Sequence, residues 1–210
     1  MKVSIVNITS NPIETIYKAY RVCYSRLPYE EVPTKSEEEM IEFIEPLMAD
    51  NHTSPLEHVN ITFNVSGISR ACLAQLTRHR TMSFNVKSQR YVNEKSFDYV
   101  IPQAIKNDKN ALYLFESHMR DIADLYKSFK ELGINNEDAR SILPNAATTN
   151  LVVTVDLNNF RKFLSLRLCK HAQAEIRSLA TQMLLQVQQY IPFAGYKVMN
   201  CGNCGECKNG

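Results

Sequence analysis

Between Arg78 and Tyr91 the chain packs four cations, Arg78, Arg80, Lys87 and Arg90, into fourteen residues, with Ser83 and Ser88 among them. That combination suits an oxyanion such as phosphate. Arginine forks grip phosphate oxygens bidentately, and hydroxyls and backbone N–H groups add donors. Taken alone, the cluster reads equally as a solvated basic turn. Gln75 precedes Arg78 by one helical turn, so both can face one ligand. A second pattern lies at the C-terminus, where Cys201, Cys204 and Cys207 are spaced as ligands for zinc or an iron–sulfur cluster. Only three thiols are present and no histidine follows, so no metal site is expected. The Gly- and Asn-rich setting suggests a mobile tail.

These residues need elements to position them. Lys2–Ile8 reads as a strand, and Pro12 opens a helix running to about Tyr24. Ser36 followed by Glu39 forms a capping box, so a helix starts there and continues through Ile41, Ile44 and Leu47. His52–His58 is a polar connector. Val59, Ile61, Phe63 and Val65 alternate with polar residues, the period of a half-buried strand that Gly67 should end. Ile68–His79 reads as a helix, Arg80–Gln89 as irregular, and Arg90–Val92 and Asp98–Ile101 as short strands. A long helix fits Asp108–Leu132, stopped by Gly133, and Asn136 caps a short one ending before Pro144. Leu151–Val155 is a strand by β-branched content. Asn158–Lys170 and Ala172–Tyr190 are helices, the second with Ile176, Leu179, Met183 and Val187 on one face. The expected fold class is α+β, one domain over residues 1–195, with a Cys/Gly-rich tail at 196–210.

Composition narrows the function. A net charge of +2, from 24 basic and 22 acidic side chains, is too balanced for a dedicated nucleic-acid binder. A nucleic-acid module using the Arg78–Arg90 stretch is therefore the weaker alternative. No apolar run is long enough to span a membrane, and the N-terminus lacks the pattern of a signal peptide. A cytoplasmic location follows by default, and a disulfide framework is not expected there.

The order Arg78-His79-Arg80, seven residues, Ser88, one residue, Arg90-Tyr91 resembles the signature of the flavin-dependent thymidylate synthases. Three further blocks keep that family's order: Ser54-Pro55-Leu56-Glu57-His58 upstream, Arg140-x-x-Leu143-Pro144 downstream, and Phe163 to Arg177 beyond it. The resemblance spans roughly residues 1 to 190. It implies a homotetramer with a helix-flanked, largely antiparallel sheet and active sites shared between subunits. It implies conversion of dUMP to dTMP, with methylenetetrahydrofolate supplying the carbon and NADPH reducing bound FAD.

By the same resemblance, Ser54, Arg78, His79 and Arg80 would contact FAD, with His52 and Glu57 lining that pocket and His171 near the flavin. Gln75, Arg78, Ser88, Gln89 and Arg90 would hold dUMP, as would Val86 and Lys87, with Arg90 and Arg140 serving its phosphate. Three positions depart from the family's pattern. Val86 stands where a Glu is common, Asp156-Leu157-Asn158 stands where many members carry Asn-x-Arg, and Lys162 replaces Asn or His. Asp156, Asn158 and Lys162 would touch FAD at its adenosine part. Better-known thymidylate synthases attack dUMP with a cysteine thiolate. Here Cys72 and Cys169 lie in helical segments and read as small hydrophobes, while Ser88 has no evident base and reads as a ligand. No cysteine nucleophile is expected. Arg167, at the edge of an apolar helix face, would line dUMP and stabilise a uracil anion, making it the expected catalytic residue.

Overall fold

A computed structural model describes residues 1–198. The cysteine pattern at Cys201–Cys207 lies outside the described residues. Four strands, β1 (Lys2–Ile8), β2 (Asn60–Ser69), β3 (Ser83–Val86) and β4 (Thr148–Asp156), form one sheet in the order β1-β2-β4-β3. The register shows the strand directions. Thr9 N donates to Asn60 O at 3.0 Å, while the Met1 amine lies beside Gly67. Thr62 Oγ1 meets Thr154 Oγ1 at 2.9 Å, while Gly67 N donates to Asn150 Oδ1 at 3.2 Å. In both pairs one number falls as the other rises, so β1, β2 and β4 run antiparallel.

Eight helices accompany the sheet among the described residues: α1 (Pro12–Tyr24), α2 (Glu37–Ala49), α3 (Arg70–Leu76), α4 (Gln103–Lys106), α5 (Lys109–Glu131), α6 (Asn136–Ala139), α7 (Leu157–Arg167) and α8 (Ala174–Val187). The architecture is a helix-flanked antiparallel sheet. No described helix is long and apolar enough to cross a membrane.

The chain forms two compact units, with β2 and β4 each passing from one into the other. The first contains Met1–Lys2, Val65–Arg78 and Asn85–Leu151. Its core includes Phe97, Met119 and Ala147, against which Tyr99, Phe115 and Leu143 pack. The second contains Val3–Asn64, His79–Phe84 and Val152–Val198. There Ile16, Tyr20, Ile44, Leu56, Phe63, Phe160 and Phe163 are fully buried. Phe63 and Phe160 pack at 5.6 Å, and Tyr17 meets Phe43 edge-on at 5.4 Å. The predicted α8 face is right, since Ile176, Leu179, Met183 and Val187 are all buried.

The capping box at Ser36 forms as expected, with both reciprocal bonds present. Several boundaries differ from the sequence expectation. Gly67 does not end β2; at φ +73° it bends the strand, which continues to Ser69. Ser69 then caps α3 by accepting from Cys72 N, so the helix starts later than Ile68 and stops at Leu76. The connector after His52 is a 3₁₀ turn, Ser54–His58, whose own Pro55 and Leu56 are buried. Part of the stretch expected to be irregular is β3, and Lys87 N extends its pairing by donating to Asn150 O at 2.9 Å. Arg90–Val92 is a turn closed by Val92 N on Ser88 O, and Tyr99 makes only an isolated antiparallel bridge to Ala147. Local β preference is a weak prior that side-chain anchoring overrides in these short segments. Asn135, not Asn136, caps α6. The last two helices are shorter than expected: α7, capped by Asp156, starts at Leu157 but ends at Arg167, and α8 runs from Ala174 to Val187. Arg161 reaches the C-terminal segment, donating to the carbonyls of Ala194 at 2.9 Å and Tyr196 at 2.8 Å. The chain is thus held as far as Tyr196.

Candidate active site

The residues singled out in the sequence fall into two groups, one within each compact unit. In the second unit, α7 ends at Arg167 and the chain after α3 delivers His79. Arg167 Nε donates to His79 Nε2 at 2.9 Å. The His79 ring also meets Phe163 edge-on at 5.0 Å. Burial pushes the His79 pKa down to about 4, and the Arg167 charge adds to that shift. His79 is therefore neutral near pH 7, with Nε2 as acceptor and the proton on Nδ1. Arginine keeps its charge in such a setting. The pair combines a fixed cation with a neutral imidazole that orients it.

Ser54, Arg80 and Lys162 lie in the same unit and are exposed. They are donors suited to an anionic cofactor. Asp156 and Asn158 also carry bonds within the fold. Asp156 accepts from Asn159 N at 2.9 Å and from its side-chain amide at 2.6 Å, which starts α7. Asn158 is buried and donates to Glu57 Oε1 at 2.8 Å. His52 is held by Tyr24, whose hydroxyl lies 2.9 Å from Nδ1. His171 is exposed, 3.9 Å from the Cys169 sulfur. Cys169 and Cys72 are both buried, as expected for small hydrophobes.

The first unit holds Gln75, Arg78, Val86, Lys87, Ser88, Gln89, Arg90 and Arg140. Gln75 is half-buried on α3 and Arg78 is exposed just beyond it. The Lys87 ammonium is committed to a carboxylate that sequence reasoning missed: it lies 2.7 Å from Glu94 Oε1. Arg70 Nη2 also donates to Lys87 O at 2.9 Å. The Lys87 ammonium is therefore not a free cation. An open cavity of about 400 Å³ borders this pair, lined also by Asp98 and Asn150. Ser88 Oγ accepts from Arg90 N at 3.2 Å, tightening the turn. Arg90 pairs with Glu137, and Arg140 Nε donates to Glu137 O at 3.1 Å. Glu94 and Glu137 carried no signal in the sequence. Glu137 is 47 residues from Arg90, and no periodic pattern links them.

The lowered His79 pKa has a measurable consequence. Between about pH 4 and His79's ordinary value of 6.5, the unfolded chain binds a proton that the folded chain refuses. Stability is then fully present above that window and is lost as pH falls through it. The expected loss from about pH 7.5 to 5.5 is roughly 1 kcal/mol after solvent screening, or about 2–4 °C in Tm. His79→Gln should remove this part of the pH dependence; thermal melts of both proteins across the window measure it, and identical slopes would refute the assignment.

The sequence matches the family described as thymidylate synthase complementing protein over residues 4–193. A flavin-dependent thymidylate synthase from Geobacter sulfurreducens is 38% identical over 195 residues, covering 91% of this chain and 84% of the relative. One from Pyrococcus abyssi is 39% identical over 196 residues, covering 89% of this chain and 79% of the relative. Among solved structures, thymidylate synthase X from Helicobacter pylori, crystallised with FAD and dUMP, superposes with a TM-score of 0.77 at 22% identity. That alignment covers 94% of this chain and 99% of the other. At that identity the likeness concerns the fold, and the curated relatives carry the assignment. With 38% identity spread over nine-tenths of its length, this chain belongs to the flavin-dependent thymidylate synthase family.

Proposed function

We propose that the protein is an FAD-dependent thymidylate synthase that converts dUMP to dTMP. Methylenetetrahydrofolate gives up its one-carbon unit and NADPH supplies the hydride, leaving tetrahydrofolate and NADP⁺. The Arg167–His79 contact carries this reading, because it places a fixed cation against the signature motif. The donor set fits FAD. Arg78, Arg80, Ser54 and Lys162 offer charge and hydroxyl to its pyrophosphate and adenosine, with Asp156 and Asn158 shaping the start of α7. When bound, FAD passes reducing equivalents from NADPH to the transferred carbon.

The chain's own residues do the rest. Gln75, Arg78, Ser88 and Gln89 hold the nucleotide, with Val86 and Lys87 beside it, and Arg90 and Arg140 take its phosphate. Arg167 polarises the uracil: a cation beside O2 or N3 favours loss of the N3 proton and drives electron density to C5, the carbon that must attack. No thiolate is needed, which agrees with two buried cysteines. We assign this work to residues 1–195, in a cytoplasmic homotetramer whose sites draw on more than one subunit. The nucleic-acid alternative is not favoured, given the family membership.

Purified protein should be yellow, or become so with FAD, and its visible spectrum should change on adding dUMP. Light scattering should give a tetramer. A colourless monomer that takes up no added FAD would end this proposal.

A further inference from the structure

Arg90 and Arg140 meet on one residue, Glu137, the second residue of α6. Asn135 fixes where that helix begins, its side chain accepting from Asp138 N at 2.9 Å. The Glu137 carboxylate takes one edge of the Arg90 guanidinium with both oxygens: Nε lies 2.9 Å from Oε1, and Nη2 donates to Oε2 at 3.1 Å. The main-chain carbonyl of Glu137 accepts from Arg140 Nε at 3.1 Å. Asn136 Nδ2 adds a bond to Tyr91 O at 3.4 Å, and the Arg90 guanidinium lies over the Tyr91 ring at 5.8 Å. So α6 brackets the segment that carries Arg90.

This geometry leaves the outer edge of each guanidinium, its terminal amino groups, to a second oxyanion. Fork-to-fork pairing orients a planar group as well as attracting it. The Arg90 and Glu137 side chains are 50% and 48% exposed. An ion pair that open adds little to folding, so its contribution lies in orientation. A carboxylate also offsets the mutual repulsion of two nearby cations until an anion arrives.

We propose that Glu137 is a positioning residue for nucleotide binding: its carboxylate orients Arg90, its carbonyl orients Arg140, and the two present their outer edges to the phosphate of dUMP. This rests on reading Arg90 and Arg140 as the phosphate ligands. The opposite role is physically open to the same contact. If Glu137 instead occupied the place of phosphate, removing it would tighten nucleotide binding.

Calorimetric titration of the FAD-loaded enzyme with dUMP, paired with steady-state kinetics, separates these outcomes. Glu137→Ala should raise the dUMP Kd and KM about three- to tenfold, with the effect on KM rather than kcat and with FAD content retained. Glu137→Gln keeps an acceptor for Arg90 and should show about a twofold rise. Combining Glu137→Ala with Arg90→Ala should be no weaker than Arg90→Ala alone, since the carboxylate acts through that arginine. A merely structural residue would give additive losses. Unchanged or tighter binding in Glu137→Ala, with Arg90→Ala impaired, overturns the proposal. If Arg90→Ala and Arg140→Ala both bind dUMP normally, the phosphate-ligand reading fails, and this inference with it.

Discussion

Arg167→Ala is expected to lower turnover by about 10²–10³-fold, or roughly 3–4 kcal/mol, the usual effect of losing one preorganised donor to a developing charge. FAD should still bind. Two features make the effect large. Arg167 closes α7 at its last residue, and its Nε is fixed on His79, which fixes the direction of the guanidinium. The His79 ring is itself held against Phe163 on the same helix. The cation is thus set in place before substrate arrives, so little reorganisation remains at the moment of reaction. Arg167→Lys retains charge but loses the planar fork and the Nε bond, and should fall between the two. Turnover and the pH dependence of dUMP binding in both variants decide the matter. Near-normal turnover by Arg167→Ala would show that the uracil is activated elsewhere.

Glu94→Ala should produce the largest loss of stability among single changes near the nucleotide residues, about 2–4 kcal/mol. Glu94 is 5% exposed, and its carboxylate faces Lys87 at 2.7 Å. It also sustains Arg70, whose pKa burial lowers and whose charge the Glu94 carboxylate partly compensates. Arg70 Nε is already buried without a hydrogen-bond partner. Removing Glu94 leaves two cations in low dielectric with no counter-charge, while its backbone N–H bond to the Tyr126 hydroxyl survives. The Lys87 side chain is 25% exposed, which places the loss below that of a fully dry pair. Replacing both partners, Lys87→Met with Glu94→Leu, should recover much of the loss, because an apolar pair strands no charge. Urea unfolding of the three proteins measures this. A loss below about 0.5 kcal/mol in Glu94→Ala would show that water reaches Lys87 freely.

The long elements were legible because each carries a periodic signal with a physical origin. Ser36 and Glu39 announce α2, the alternation through Phe63 announces β2, and Gly133 at φ +83° stops the chain after α5. The signature motif was legible because it is contiguous. What escaped were pairings that no periodic pattern links. Nothing local marks β3, whose four residues become a strand only by lying along β4. Glu94 and Glu137 look like ordinary surface acids in sequence, and only the fold brings them to Lys87 and Arg90. Asp156 and Asn158 show the reverse: their side chains were assigned to FAD, and the fold also commits Asp156 to starting α7 and Asn158 to Glu57.

The bonds from Arg161 to the carbonyls of Ala194 and Tyr196 give α7 a third point of attachment. Asp156 holds its first turn, the C-terminal segment holds its middle, and His79 holds its last residue. A helix fastened at three places acts as a stiff bar, and the direction of the Arg167 guanidinium is then set partly by the C-terminal segment. For protein engineering, if Arg167 acts on the uracil as proposed, the stretch from Phe193 to Tyr196 sets its aim, and a fusion partner belongs beyond that stretch.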